Sequence, residues 1–317
     1  MLSFEETTCD WCGNREGEVL FEGPDLLLGL PGKFRMVRCS KCGLYRQDPR
    51  LTWESLETYY PQDYSAYETI IATEKSLVKR LNRRYGMWKR LRTLERFRSG
   101  GRLLDVGCGT GVFLGEAQHS GHWELMGVEP SPQAAAYAQE TLGIPVLAQR
   151  FNEADLPAGY FDVITMWNVL EHLGSPIGDL CRAYQLIRPG GWLVLTIPNV
   201  DSIGAKLFGR YWMGWDLPRH LYLFPQKQLR RILGEIGFDW VDAHCIAGSH
   251  SWLGLSIEFL LRAKNIHNSA TRFLLHLYRS LPARVAFSPL FFLADQFRQC
   301  SLITVFAQKK PAGSTHD

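Results

Sequence analysis

No stretch of the chain gives the ~20 uninterrupted apolar residues that a membrane-spanning helix needs. The start, Met1-Leu-Ser-Phe-Glu-Glu, has neither the basic nor the apolar run of a signal peptide. Bias is missing too: 46% hydrophobic and 21% charged residues exclude a disordered or collagen-like chain. With 35 Lys+Arg against 32 Asp+Glu, the net charge over 317 residues is only +3. At ~100–200 residues per domain, that length suggests two domains, or one large domain with an appendage. A cytoplasmic protein is expected, with peripheral attachment at the inner membrane as the variant reading. In that compartment cysteines bind metal, catalyse or simply pack.

Cysteines are few but ordered. Cys9-Asp-Trp-Cys12-Gly13 and Cys39-Ser-Lys-Cys42-Gly43 repeat one C-x-x-C-G pattern. Two cysteines three positions apart on a tight turn aim both sulfurs at one point, and the following glycine permits the turn. Two such knuckles supply the tetrahedral thiolates of a structural Zn2+, with a β-ribbon such as 18–28 filling the spacer. With no open ligand position, the metal is expected to hold the fold rather than do chemistry. Cys108, Cys181, Cys245 and Cys300 are isolated and are expected to pack as small hydrophobes.

Charge is uneven along the chain. From Glu74 to Arg98 ten basic residues face two acidic ones, so this stretch carries +8 and the remainder −5. Its Leu77, Val78, Leu81, Tyr85, Trp88, Leu91 and Leu94 recur at helix-face spacing, which predicts a basic helix docked by that face. An anionic partner, whether membrane surface, phosphorylated substrate or nucleic acid, is the sharper reading. Residues 252–299 are rich in Leu and Phe but broken by Arg262, Lys264, Arg272, Arg279 and Arg284. Such blocks suit amphipathic helices; a substrate-covering insert is expected first and interfacial membrane attachment second.

Arg102-Leu-Leu-Asp105-Val reads as a strand running into Gly107-Cys108-Gly109-Thr-Gly111 and then a helix. That is the first half of a βαβ unit, whose loop lies where ligands bind. A dinucleotide fingerprint would need G-x-G-x-x-G, and Val112 or Leu114 stands at the third glycine position. This speaks against a nucleotide-dependent oxidoreductase.

The D-x-G-x-G-x-G present instead resembles motif I of the class I methyltransferases that use S-adenosylmethionine. The likeness continues in order through 125–130 ending in Glu129 and Pro130, 161–166 with the 167–172 loop, the Leu186-Ile-Arg-Pro-Gly-Gly turn with strand 192–197, and Leu217-Pro-Arg-His220. Strands at 238–246 and 301–307 would complete the sheet. The resemblance implies an α/β fold: a Rossmann-like seven-stranded sheet at 100–310, with a helical insert at 249–300. Before it stand a zinc ribbon at 1–50 and a helical linker at 51–99. Knuckles ahead of this fold also resemble a subgroup acting on sugars and glycans.

The same resemblance implies residue roles. Asp105 and the Gly107, Cys108, Gly109 and Gly111 loop hold the donor's methionine part, and Glu129, beside Pro130, holds its ribose. Asn152 stands where adenine contacts fall, and Trp167 and Asn168 line the pocket. Glu171 and His172 face the methyl group, with His172 ahead of His220 as the base. On a helix Glu171 and His172 would diverge by about 100°. In relatives acting on quinone precursors an earlier acid joins the pair to hold a metal; here that position is Asn168, which argues against a catalytic metal. Asp162 reads as structural. The expected activity is S-adenosylmethionine-dependent O- or C-methylation of a sugar, glycan or lipid-linked small molecule. The alternative is a nucleic-acid methyltransferase using ribbon and basic helix. Met166-Trp-Asn-Val lacks the N/D-P-P-Y stretch of amino-methylating enzymes, which argues against nucleic acid as a partner.

Overall fold

The structure is a computed structural model that describes residues 2–60, 77–246, 249–266 and 268–311. Glu74 and Lys75 of the basic run lie outside the described residues.

The chain begins with β1 (Phe4–Glu5), β2 (Gly17–Gly23), β3 (Phe34–Cys39), β4 (Tyr45–Gln47) and β5 (Arg50–Leu51), then the short helix α1 (Trp53–Glu57). Helix α2 (Leu77–Leu94) leads into the alternating region: β6 (Gly101–Val106), α3 (Val112–Ser120), β7 (Trp123–Val128), α4 (Pro132–Leu142) and β8 (Val146–Leu147). Next come β9 (Phe161–Trp167), a 3-10 turn at Leu170–His172, α5 (Pro176–Leu186), β10 (Ile187–Pro198), α6 (Ile203–Phe208), β11 (Tyr222–Leu223), α7 (Gln226–Ile236) and β12 (Phe238–His244). Helices α8 (Ser249–Ala263), α9 (Ser269–Tyr278) and α10 (Leu281–Gln296) precede the last strand, β13 (Leu302–Lys309).

Seven strands form one sheet in the order β12-β13-β10-β9-β6-β7-β8. Only β13 runs antiparallel to its neighbours; β10, β9, β6, β7 and β8 pair in parallel. Parallel strands covered on both faces need continuous apolar runs. Accordingly, β9 (FDVITMW) is buried from Phe161 to Met166. The connecting helices carry their own stops: Ser131 caps α4 by accepting from the Ala134 amide, Pro132 opens it and Gly143 closes it at φ 66°. The chain leaves β6 toward β7 and returns to its other side at β9. The carboxyl ends of β6 and β9 therefore flank the switch point at which open α/β sheets bind ligands.

The N-terminal strands make a second sheet, ordered β11-β4-β3-β2. Its β11 comes from beyond residue 220, so the ribbon is completed by a strand from the body of the chain. The antiparallel ribbon is β2 with β3 rather than 18–28 alone, since residues 24–33 form the turn between them.

Two expectations need correction. The apolar face of α2 docks only over its last turn: Leu91 and Leu94 are buried, whereas Leu77, Leu81, Tyr85 and Trp88 stay exposed. Helix periodicity marked that face without saying how much of it finds a partner. The second concerns cysteine. Cys245 and Cys300 form a disulfide, because antiparallel β12 and β13 bring the end of one beside the start of the other, with Cα atoms 5.9 Å apart. Cys181 is exposed on α5, while Cys108 is buried as expected.

Candidate functional site

The glycine loop turns sharply at the end of β6. Gly107, Gly109 and Gly111 all hold positive φ (66°, 55° and 79°), a region L side chains avoid. A Cβ on Gly107 would come within 2.7 Å of Val169 Cγ2, so the loop also lies tightly against the segment after β9. Amides of Gly107 and Cys108 both donate to the Val128 carbonyl, tying the loop to the end of β7.

Two buried acids face this loop. Asp105 is 2% exposed, accepts from Thr165 Oγ1 at 2.6 Å, and is pushed by burial up to about 7. Glu129 is 4% exposed; its carboxylate accepts from the Gly109 amide and the Ser131 amide, each at 2.9 Å. Burial raises its pKa as well. Pro130 lies exposed beside it, and Asn152 is exposed on the turn after β8, next to buried Phe151. Trp167, at the end of β9, stacks edge-on with Phe113 at 4.9 Å, and its indole N–H is buried without a hydrogen-bond partner among the described residues. Asn168 adopts φ 60°, a left-handed conformation that Asn tolerates, and donates its amide to the Thr196 carbonyl. One residue was not foreseen: Arg90 turns inward from the basic α2, its guanidinium 5.0 Å over the Trp167 ring. Burial lowers its pKa to about 10, with Asp105 acting against that shift. Arg90 is one of the ten basic residues of the 74–98 stretch, and no local signal distinguishes it from its basic neighbours.

Just after β9 lies the acid–histidine group. Glu171, His172 and His220 each offer one polar atom, all within 4.8 Å of one another. The expected helical divergence does not separate them, because the segment is a 3-10 turn and His220 arrives from a different loop. Glu171 is fully buried, neither of its oxygens meets hydrogen-bond geometry with a partner among the described residues, and burial pushes it up to about 8. His172 Nδ1 lies 3.0 Å from the Arg219 carbonyl and 3.0 Å from Tyr60 Oη. A carbonyl can only accept, so Nδ1 carries the proton and Nε2 keeps the lone pair. His220 is fixed likewise, its Nδ1 donating to the Gly214 carbonyl at 2.8 Å. Burial lowers His172 to about 3 and lowers His220 also, leaving two neutral imidazoles at neutral pH.

What holds His220 was also missed. Arg219 is fully buried and pairs with Asp216 and with Asp25 of the N-terminal region, each at 2.7 Å. Gln47 Nε2 donates to the carbonyls of Pro218 and His220 at 2.9 and 2.7 Å. The Asp216–Arg219 spacing is a local signal that a turn pairs them. Asp25 lies 194 residues from Arg219, and nothing in the sequence connects the two.

In the ribbon, Cys9 and Cys42 Sγ are 3.4 Å apart and Cys12 and Cys39 Sγ 3.5 Å, with all within 4.8 Å of one another. A tetrahedral Zn–S4 site with ~2.3 Å bonds needs sulfurs ~3.8 Å apart, so the donor set fits. Amides of Gly13 and Gly43 donate to the carbonyls of Cys9 and Cys39, one matching turn in each knuckle. Asp162 accepts from Arg98 and Arg188 and from the Arg102 amide.

The glycine cradle, the two buried acids and the unpartnered Thr110 hydroxyl and Trp167 indole suit a ligand with an amine, a ribose and a flat base. Together with the sheet order, they define a class I methyltransferase fold. A family model described as a methyltransferase domain matches residues 79–243, and the chain belongs to that family. It is an S-adenosylmethionine-dependent methyltransferase. Among curated relatives it is similar to a ubiquinone biosynthesis O-methyltransferase of Burkholderia pseudomallei, 26% identical over 166 residues, covering 47% of this chain and 68% of that one. The corresponding enzyme of Cereibacter sphaeroides is 28% identical over 154 residues, covering 45% and 62%. Among solved structures it resembles an S-adenosylmethionine-dependent methyltransferase of Thermotoga maritima described as a possible histamine N-methyltransferase. The TM-score is 0.51 at 16% identity, covering 82% of this chain and 100% of that one, a likeness of fold.

Proposed function

We propose that the enzyme methylates a hydroxyl oxygen on a lipid-linked small molecule. The observation that carries this reading is the convergence of His172, His220 and Glu171 beside the end of β9. An oxygen nucleophile must lose a proton as it attacks, and these groups stand where a base is needed. The bound donor supplies an electrophilic methyl group on a positively charged sulfur. Asp105 and the glycine loop hold the methionine end, and Glu129 accepts the ribose hydroxyls. His172 Nε2 takes the acceptor's proton, while the Arg219 carbonyl and Tyr60 keep that ring in one tautomer. His220 and protonated Glu171 orient the acceptor oxygen. Relatives that carry O-methyltransferase in their names support oxygen over carbon or nitrogen. A sugar hydroxyl on a lipid carrier belongs to the same chemistry. We further assign the Cys9, Cys12, Cys39 and Cys42 cluster to one structural zinc.

The test uses labelled methyl donor with polyprenylated phenols and polyprenyl-linked sugars as acceptors. Label should enter the organic phase, and His172→Asn should lower the rate by about 100-fold or more while donor affinity stays unchanged. Label appearing only on soluble amines, or a fully active His172→Asn enzyme, would sink the proposal.

A further inference from the structure

We propose that the outward faces of α2, α9 and α10 form a docking surface for an anionic phospholipid membrane. The inference does not depend on the acceptor. Helix α10 contains no buried residue, although its sequence is LPARVAFSPLFFLADQ. Leu290, Phe292 and Leu293 are 57–63% exposed, Phe297 just beyond the helix 73%, and Phe273 on α9 66%. Isolated apolar residues on a surface are ordinary, but a contiguous set of this kind marks an interaction face.

The neighbouring charge gives the partner's chemistry. Helix α2, LVKRLNRRYGMWKRLRTL, carries seven basic residues and no acid. Its exposed Tyr85 (58%) and Trp88 (44%) are amphipathic side chains of the type that settles at a bilayer's headgroup level. Lys89 of α2 acts electrostatically on Asp295 at the end of α10, and Arg272 on α9 and Arg284 on α10 add positive charge of their own. The other acid of the insert, Glu258, is already neutralised by Arg262 and Arg279. The face therefore presents hydrocarbon edged by net positive charge, complementary to acidic headgroups over acyl chains. A second copy docked face to face would set one basic helix against its equal. A nucleic acid would leave the Phe and Leu side chains uncovered. No helix among the described residues is long and apolar enough to cross a bilayer, so the contact lies in the interface plane.

The experiment is co-sedimentation of the full-length protein with vesicles of phosphatidylcholine alone or mixed with phosphatidylglycerol. The protein should pellet with the anionic vesicles and bind pure phosphatidylcholine at least about tenfold more weakly. The double substitution Phe292→Ser with Leu293→Ser should lower partitioning about tenfold. Arg80→Glu with Arg84→Glu should do the same and remove the dependence on anionic lipid. Circular dichroism checks that each variant is folded. The proposal is overturned if wild type stays in the supernatant at every lipid composition, or if both double variants pellet like wild type. It is equally overturned if wild type is a dimer in light scattering that the Phe292→Ser, Leu293→Ser variant dissociates, because the face then belongs to a second copy.

Discussion

The cysteine ribbon and the helical insert both read in the sequence as appendages, yet they meet the methyltransferase body in opposite ways. From the ribbon side, Asp25 reaches a fully buried arginine, Gln47 reaches two loop carbonyls, and β4 pairs with β11. These contacts end on the loop that carries His220. From the insert, α8 sends Ser256 to the Met213 amide and buries Phe259, but α9 and α10 turn large apolar side chains to the solvent. Charged groups taken out of water must find defined partners, so burying Asp25 and Arg219 fixes a geometry. Apolar side chains need only another apolar medium, and their face can stay open until one arrives. The ribbon thus acts inward on the site, and the insert faces outward.

Removing the zinc proposed for the ribbon should break this picture most severely. If zinc knits the knuckles, Cys39→Ser or chelation unravels β2–β4 and frees the loop at Gln47 and Asp25. Small structural zinc domains owe ~10–16 kcal/mol of apparent folding free energy to their metal. Methyl transfer should fall by about 100-fold or more as His172 and His220 lose their placement. Donor binding, measured by calorimetry, should persist, because the glycine loop and Glu129 are held by β6 and β7. Metal analysis giving well under one zinc per chain would remove the premise. Equal loss of donor affinity would show that the ribbon supports the whole body rather than the histidine loop.

Arg219→Ala probes the same junction without touching the metal. It strands two carboxylates in the interior, which typically costs about 3–5 kcal/mol. Arg219→Lys should rescue little, since one ammonium cannot make the paired contacts to both Asp25 and Asp216. Denaturant midpoints measure the loss; a change below about 1 kcal/mol would mean that the junction is incidental.

How far the sequence foretold this division follows from distance along the chain. Strands β6, β7, β9 and β10, and Asp105, Glu129, Trp167 and Asn168 at their ends, are local patterns: an apolar run, a glycine turn, an acid at the strand end. The paired knuckles are local too. The Asp25–Arg219 contact, the inward turn of Arg90 and the meeting of His172 with His220 depend on how distant segments fold together, and periodicity carries none of that. Leu77 and Leu91 share one helical stripe in the sequence, yet only Leu91 is covered.

Two buried carboxylates should separate the regions by pH. At Asp216, burial raises the pKa, but Arg219 and His220 override it and hold the carboxyl below its usual range. Its stabilisation is therefore present above the unfolded value near 4 and lost as pH falls through the lower folded value. Asp105 is raised to about 7, so the folded state holds a proton that the unfolded chain releases near 4, and stability falls as pH rises from about 4 to 7. Thermal melts of Asp105→Asn should make that decline shallower, leaving the part that Glu171, raised to about 8, contributes, and keep the acid limb. A decline unchanged in the variant would assign it to another group.

The smallest expected effect lies on the outer face of the insert. Phe292→Ser, at 63% exposed, removes an aromatic ring that the folded chain leaves mostly uncovered, so stability without lipid should change by no more than about 0.5 kcal/mol. Phe259→Ala, at 3% exposed on α8, opens a cavity against the body and should cost about 3–5 kcal/mol. Urea midpoints of the two variants place both on one scale. A loss above about 2 kcal/mol for Phe292→Ser would mean that α10 packs inward in solution, and the insert would then be a second inward-acting element like the ribbon. Near-neutrality, beside a large loss at Phe259, would mean that one three-helix insert is divided between an anchor that folding uses and a face that it leaves free.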